Sequence, residues 1–297
     1  MKTVRQPRHH AGVSKRLAPE PGLYLVATPI GNARDITLRA LDLLAAVDIV
    51  ACEDTRTTGR LLGLHGISAT LTAYHDHNAA RVRPALLERL KAGQAVALVS
   101  DAGTPLISDP GYRLVVEARA AGITVTTAPG PSAPLAALTV SGLPTDRFFF
   151  AGFLPSKRAA RRRTLEALSA IDGALLLFES ARRLASSLTD MADVLGPREA
   201  AVVRELTKLH EEVRRATLDV LAAQYGDAGA PKGEIVIVVA PPGADADRLD
   251  DGVVDELLRA ALATDTLRDA AARVALATGL PRRRLYNRAL ELAGEDP

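Results

Sequence analysis

The sequence predicts an α/β protein with two α/β domains and a small C-terminal helical domain. Three observations carry that expectation. Short strand-like apolar runs alternate with helically spaced apolar residues from residue 23 to about 240. Glycine- and proline-rich turns follow several of the strand-like runs. From residue 252 onward only helical spacing is present. A length of 297 residues suits two domains and an appendage.

The elements follow in order. Residues 1–22 lack apolar periodicity and read as a disordered basic tail, or as sequence upstream of the true start. LYLVAT (23–28) is a strand, 37–47 a helix and DIVAC (48–52) a strand. A helix at 55–64, a strand at 69–74 and a helix at 79–92 come next, then the buried-looking strand AVALVS (95–100). A helix at 111–121, a strand at 123–128 and a helix at 132–141 complete a series of βαβ units with a mostly parallel sheet. Turn residues in GLPTDR (142–147) place a domain boundary there, giving domains at 23–144 and 145–241. The second series has strands at 148–154, 174–180, 200–206 and 232–240, with helices at 157–170 and 181–195. The alternating stretch 211–218 suits antiparallel pairing with 200–206. PPGADADRLDD (241–251) is a linker, followed by helices at 252–263, 266–278 and 281–293 in a domain spanning 252–297. Gly279 and Pro281 suit the stop and start of a helix-turn-helix-like pair.

Composition narrows the function. Hydrophobic residues make up 47% and charged residues 24%, which excludes a disordered chain, a collagen and a coiled-coil rod. No apolar run approaches the roughly 20 residues of a membrane helix. A single cysteine, Cys52, excludes an internal disulfide and suits a reducing cytoplasm. The net charge of +2 hides an uneven distribution, with positive clusters at 1–16, 157–163 and 281–288 and an acidic stretch at 244–256. Clustered arginine is the footprint of a nucleic-acid partner, although solvated helix faces produce the same pattern.

Three strands end in Gly/Pro-rich loops: Thr28–Asn32, Ser100–Gly111 and Ala128–Ser132. Ligands in open α/β sheets bind beyond the carboxyl ends of the strands. Pro29, Pro105, Pro110, Pro129 and Pro131 remove the backbone N–H donors that a phosphate cradle needs. Neither a Walker-type nor a dinucleotide glycine motif occurs. The expected ligand is flat, partly apolar and read by backbone carbonyls, such as an adenosine-like group. No metal is expected: His75 and His77 have no evident third ligand, and Cys52 reads as a buried inert thiol. Acidic and basic residues cluster in Glu53-Asp54-Thr55-Arg56, in Glu179-Ser180 with Arg182 and Arg183, and in Arg204-Glu205 with Lys208. Each cluster follows a predicted strand end, where carboxylates serve as bases and arginines hold phosphates.

LYLVATPIGNARDIT, CEDTRTTGRLL, SDAGTPLISDPG, APGPSA, GFLPSK, RELTKLHEE and KGEIVIVV occur in that order. Over about 23–293 the chain closely resembles the bacterial small-subunit ribosomal RNA methyltransferase I family. Its wider group is the tetrapyrrole (corrin/porphyrin) methylase fold, which also holds diphthine synthase. The resemblance implies S-adenosylmethionine-dependent 2'-O-methylation of a cytidine ribose in the decoding region of 16S rRNA in the small ribosomal subunit. It implies a two-lobed fold with the cofactor in the cleft between the lobes, a small C-terminal helical domain and a homodimer. Carried over by motif, it implies a cofactor site of Pro29, Ile30, Asp101, Gly103, Thr104, Ile107, Ser132, Ala133, Phe178, Glu179 and Gly233. The family's usual Tyr-Glu-Ser-Pro-His-Arg run reads Phe178-Glu-Ser-Ala-Arg-Arg183 here.

The residues agree with that chemistry. A sulfonium methyl is already activated, so transfer needs in-line positioning and removal of the hydroxyl proton. Glu53, Arg56 and Glu205 are the catalytic candidates. RNA binding falls to Arg56, Lys157, Arg158, Arg161, Arg162, Arg163, Arg282, Arg283 and Arg284. An aromatic content of 3% with no tryptophan favours phosphate and shape contacts over base stacking. Two other readings stay open: a small-molecule tetrapyrrole or corrin methylase, and a non-enzymatic nucleic-acid-binding regulator using 266–293.

Overall fold

The computed structural model describes residues 19–243, 251–278, 280 and 282–295. Most of the expected basic tail, most of the 241–251 linker, and the Gly279 and Pro281 turn lie outside the described residues. The chain divides into two compact units, Met1–Ser132 and Ala133–Pro297.

The first unit carries strands β1 (Gly22–Val26), β2 (Ile49–Cys52), β3 (Leu71–Ala73), β4 (Ala95–Val99) and β5 (Val125–Ala128). They form a wholly parallel sheet in the order β3-β2-β4-β1-β5. Helices α1 (Leu38–Ala46), α2 (Thr55–Leu64), α3 (Ala79–Lys91) and α4 (Tyr112–Ala120) connect them. Strand alternation divides the core between two faces. Val50, Cys52, Ala97 and Val99 pack with Ala40 and Leu44 of α1 and Leu62 of α2. Ile49, Ala51, Val96 and Leu98 pack with Leu86 and Leu90 of α3 and Leu114 of α4. Thr37 caps α1 by accepting from the Ala40 N–H at 3.1 Å, and Asp54 caps α2 by accepting from the Arg56 N–H at 2.8 Å.

The second unit opens with α5 (Ala133–Ser141), which packs on strands of this unit's own sheet. The boundary therefore falls at Ser132/Ala133 and not at 142–147. The turn residues there mark the exit from α5, not the end of a core.

Strands β6 (Phe148–Phe153), β7 (Ala174–Ser180), β8 (Glu199–Arg204), β9 (Glu212–Thr217) and β10 (Glu234–Val239) are ordered β6-β7-β10-β8-β9. Only the β6–β7 pair is parallel; β10 runs antiparallel to both of its neighbours, and β8–β9 is the expected antiparallel pair. The apolar run IVIVV is long because β10 is central, with both faces covered. Ile235, Ile237 and Val239 join α6 (Arg158–Leu168), α7 (Leu184–Leu195) and α8 (Leu218–Ala228) in one core. Helix α8 has no counterpart among the sequence-derived elements, although Leu218, Leu221 and Tyr225 carry helical spacing into that core.

Helices α9 (Asp251–Leu262), α10 (Leu267–Thr278) and α11 (Arg282–Glu295) share a separate core that includes Val254, Leu258, Ala271, Leu285 and Ala289. Arg288 forks onto the Asp255 carboxylate at 2.7 and 2.6 Å, tying α11 to α9.

Candidate active site

In the first sheet the chain leaves β1 toward β2 and leaves β4 toward β5, in opposite directions. The following helices, α1 and α4, therefore lie on opposite faces, and the carboxyl ends of adjacent β1 and β4 form the sheet's switch point, where open α/β sheets bind ligands. The loops beyond these ends are joined. Thr28 and Gly103 form an isolated antiparallel bridge. The Thr28 hydroxyl donates to the Ser100 carbonyl at 3.1 Å, and the Ser100 hydroxyl to the Gly103 carbonyl at 3.2 Å. The Thr104 hydroxyl donates to the Pro131 carbonyl at 3.0 Å, adding the loop after β5.

These bonds bring together Pro29, Ile30, Gly103, Thr104 and Ser132, all expected at one cofactor site. A Cβ on Gly103 would lie 3.3 Å from Ile30 Cγ2, a tight contact, and at a φ of +80° that L side chains rarely adopt. Asp101 and Ile107 are exposed on the same loop. Leu106 and Ser108 hold positive φ values of 72° and 67°, a strained backbone of the kind that clusters at ligand sites.

Acidic groups adjoin this rim. Asp101 accepts the Asp54 N–H at 3.0 Å, linking the ends of β2 and β4. Burial, then the charges of Asp101 and Asp76, raise the Glu53 carboxyl above the ordinary glutamate range. Burial, then the charge of Glu53, pushes Asp109 up to about 6. Sequence reading missed Asp109, which the turn pattern Ser-Asp-Pro-Gly disguised as a structural residue. Arg56 is 90% exposed, and its guanidinium bonds Asp54, whose carboxyl is lowered to about 2 by those hydrogen bonds. Cys52 lies in the core, with its thiol pushed up chiefly by burial. Among the described residues no group of three or more His, Cys, Asp or Glu is arranged to hold a metal ion.

In the second unit, the antiparallel register places the end of β7, the end of β8 and the start of β10 together. Phe178, Glu179, Glu205 and Gly233 therefore gather at one end of that sheet. The Glu179 carboxylate is buried and committed: it accepts from Ser180 N at 2.6 Å and Ser187 Oγ at 2.6 Å, and pairs with Arg183 at 2.7 Å. Arg183 also donates to the Leu154 carbonyl at 3.0 Å, so the turn after β7 closes without the family's proline and histidine. Phe178 packs edge-on against Phe150 at a centroid distance of 5.0 Å.

Glu205 accepts from Lys208 at 2.9 Å and from the Glu234 N–H at 3.0 Å. Those bonds lower its carboxyl, making it a weaker proton acceptor than Glu53. Lys208 also bonds Glu234 at 2.9 Å.

The basic candidates separate on exposure. Lys157, Arg158, Arg163 and Arg282 are exposed and Arg162 is half-buried. Arg161 corrects the sequence expectation: its side chain is 5% exposed and pairs with Asp190 at 2.6 Å, so it faces the interior and not a phosphate. The i, i+4 position of Arg161 relative to Leu165 places it on the packed face of α6. The side chains of Arg283 and Arg284 lie outside the described residues.

The fold and the joined loops define an α/β domain built to hold a ligand at its sheet's switch point. The family model described as tetrapyrrole (corrin/porphyrin) methylases matches residues 22–222, and that of the RsmI C-terminal HTH domain matches 243–293. The ribosomal RNA small subunit methyltransferase I of Mesorhizobium japonicum is 57% identical over 92% of this chain and 92% of its own length. The protein of the same name from Erythrobacter litoralis is 56% identical over 92% of this chain and 95% of its own. A uroporphyrin-III C-methyl transferase from Thermus thermophilus, solved with S-adenyl homocysteine, shares the fold with a TM-score of 0.52 at 22% identity, covering 73% of this chain and 96% of that one. The chain belongs to the ribosomal RNA small subunit methyltransferase I family, within the tetrapyrrole methylases.

Proposed function

We propose that this protein transfers a methyl group from S-adenosylmethionine to small-subunit ribosomal RNA, at the ribose 2'-oxygen of a cytidine in the decoding region. The observation that carries the reading is the joined rim of three loops at the switch point of the first sheet, on a chain whose relatives bear the rRNA methyltransferase name. The rim fits the cofactor: its prolines and apolar side chains suit an adenosine-like face, Gly103 admits close backbone approach, and Asp101 offers an exposed carboxylate to a hydroxyl or amine.

The cofactor supplies an electrophilic sulfonium methyl; the chain supplies position and a proton acceptor. Pro29, Ile30, Gly103, Thr104 and Ser132 shape the rim, and Ala133 continues it by motif. Phe178, Glu179 and Gly233 carry over by motif alone, with Glu179 contributing its backbone because its carboxylate is committed. Glu53 accepts the hydroxyl proton. Its raised affinity for protons makes it a better base than an ordinary glutamate. Arg56 and the exposed residues Lys157, Arg158 and Arg163, with the C-terminal Arg282, Arg283 and Arg284, hold phosphates.

The exposed cations and the helical C-terminal region favour RNA over a free tetrapyrrole, which needs neither. The methylase match over 22–222 favours an enzyme over a DNA-binding regulator. Cytoplasmic location and a homodimer belong to the same reading, and light scattering checks the latter. The decisive experiment incubates the protein and labelled S-adenosylmethionine with small subunits from cells lacking the enzyme, then maps the label. Label on a decoding-region cytidine ribose is expected; label on a base, or on none, overturns the assignment.

A further inference from the structure

The Asp190 carboxylate on α7 is 1% exposed and serves three arginines of α6 at once. It accepts from Arg158 Nε at 3.0 Å, from Arg161 Nε at 2.8 Å and from Arg162 Nη1 at 3.4 Å. One turn further along α7, Asp193 is 46% exposed and pairs with Arg162 at 2.7 Å and with Arg158 at 3.7 Å. Three guanidinium groups thus face two carboxylates. Exposed Lys157 and Arg163 flank them without a described acidic partner. The positive end of the α6 dipole adds to the excess.

Asp190 bonds more cations than charge balance requires. The buried Arg161 already supplies one full positive charge to the buried Asp190. Arg158 is 68% exposed, yet its Nε is pinned to the same carboxylate, which leaves the outer edge of its guanidinium toward solvent. Pinning one edge of a guanidinium while exposing the other lowers the ordering cost of gripping an anion. Asp193, at the surface, occupies Arg162 in the meantime.

We propose that Asp190 and Asp193 are positioning residues for an RNA-phosphate grip on α6. Asp190 sets the spacing of Arg158 and Arg162, and Asp193 is a resident anion that a backbone phosphate displaces from Arg162. The inference rests on the rRNA substrate proposed above and names residues on α7 that touch no substrate themselves.

The test measures filter binding of the full-length protein to small subunits from cells lacking the enzyme, across a salt series, beside methyl transfer. Asp193→Asn is expected to tighten binding about three- to tenfold at low salt. The log–log salt slope should stay nearly unchanged, because the same Arg162–phosphate contact forms in both proteins and only the competing carboxylate is lost. Arg162→Gln should weaken binding and flatten the slope, and should cancel the gain from Asp193→Asn in the double variant. Asp190→Asn should raise KM severalfold with a smaller effect on kcat, and flatten the slope. If that variant fails to fold, because it strands Arg161, the Asp193 and Arg162 variants decide alone. Unchanged or weaker binding by folded, methylating Asp193→Asn protein overturns the inference. A wild-type protein that neither binds nor methylates the subunits overturns instead the function on which it rests.

Discussion

Thr28 and Gly103 exchange both backbone hydrogen bonds, Thr28 N–H to Gly103 O at 2.9 Å and Gly103 N–H to Thr28 O at 3.0 Å. Two loops 75 residues apart in sequence thereby become one rim. A two-sided bridge of this kind fixes the distance between the loops before any ligand arrives.

Gly103→Ala tests the rim. The added methyl meets Ile30 Cγ2 at 3.3 Å, at a φ of +80° that L side chains disfavour. A stability loss of about 1–2 kcal/mol is expected. Affinity for S-adenosylmethionine should fall by more than the fraction unfolded explains. Calorimetric titration beside urea unfolding separates the two effects.

Asp109 predicts a pH-dependent gain. Its carboxyl stands at about 6 in the folded protein against 3.8 for the free group. The folded state therefore holds this proton more tightly than the unfolded chain does. The cost to stability is absent below the unfolded value, grows between the two values and is complete above the folded one. Asp109→Asn should raise unfolding stability at pH 7.5 by ~1–2 kcal/mol, less than the full shift because solvent screens this half-buried carboxyl. The gain should shrink steadily toward pH 4, as urea midpoints across that range will show.

Glu53 and Glu205 predict different kinetics. Glu53→Gln should lower kcat by ~100-fold or more, the scale of general-base loss. The wild-type rate should rise with pH through a value above the ordinary 4.5 of a glutamate. Glu205→Gln, which alters a carboxylate already paired with Lys208, should cost less than about tenfold in kcat. Single-turnover pH profiles distinguish the two, and equal losses would reassign the base.

Gly233 leaves room for Glu205. A Cβ there would sit 2.4 Å from the glutamate side chain, at a φ of +102°. Gly233→Ala should destabilise by roughly 1–3 kcal/mol. Adding Glu205→Ala should recover part of that loss, because the obstructing carboxylate is gone. Thermal melts of both single variants and the double variant give the coupling.

The fork of Arg288 on Asp255 joins α9 to α11. Arg288→Gln should speed amide exchange in those two helices and leave the strands of both sheets protected. Faster exchange confined to α10 would contradict the assignment.

Periodicity made most elements legible. The helix at 55–64 coincides with α2 and the strand at 174–180 with β7. Helix α8 escaped because the alternating stretch that forms β9 runs into it at Leu218 without a glycine or proline between them. The antiparallel course of β10 was also illegible, since a fully buried strand reads as a featureless apolar run whichever way it points. At the site, the glycine- and proline-rich loops announced themselves by composition. Asp109 did not, because its proton affinity comes from burial and then from Glu53, which involve residues far away in sequence.

By itself the sequence determined the alternation of strands and helices, the donor-poor loops and the clusters of arginine, because each is written in neighbouring residues. Only the tertiary structure decided that α5 packs with the second sheet, that Arg161 is buried while Arg158 is exposed, and that Glu205 is spent on Lys208 while burial raises the Glu53 carboxyl. Burial and charge pairing depend on distances through space, and a linear pattern does not contain them.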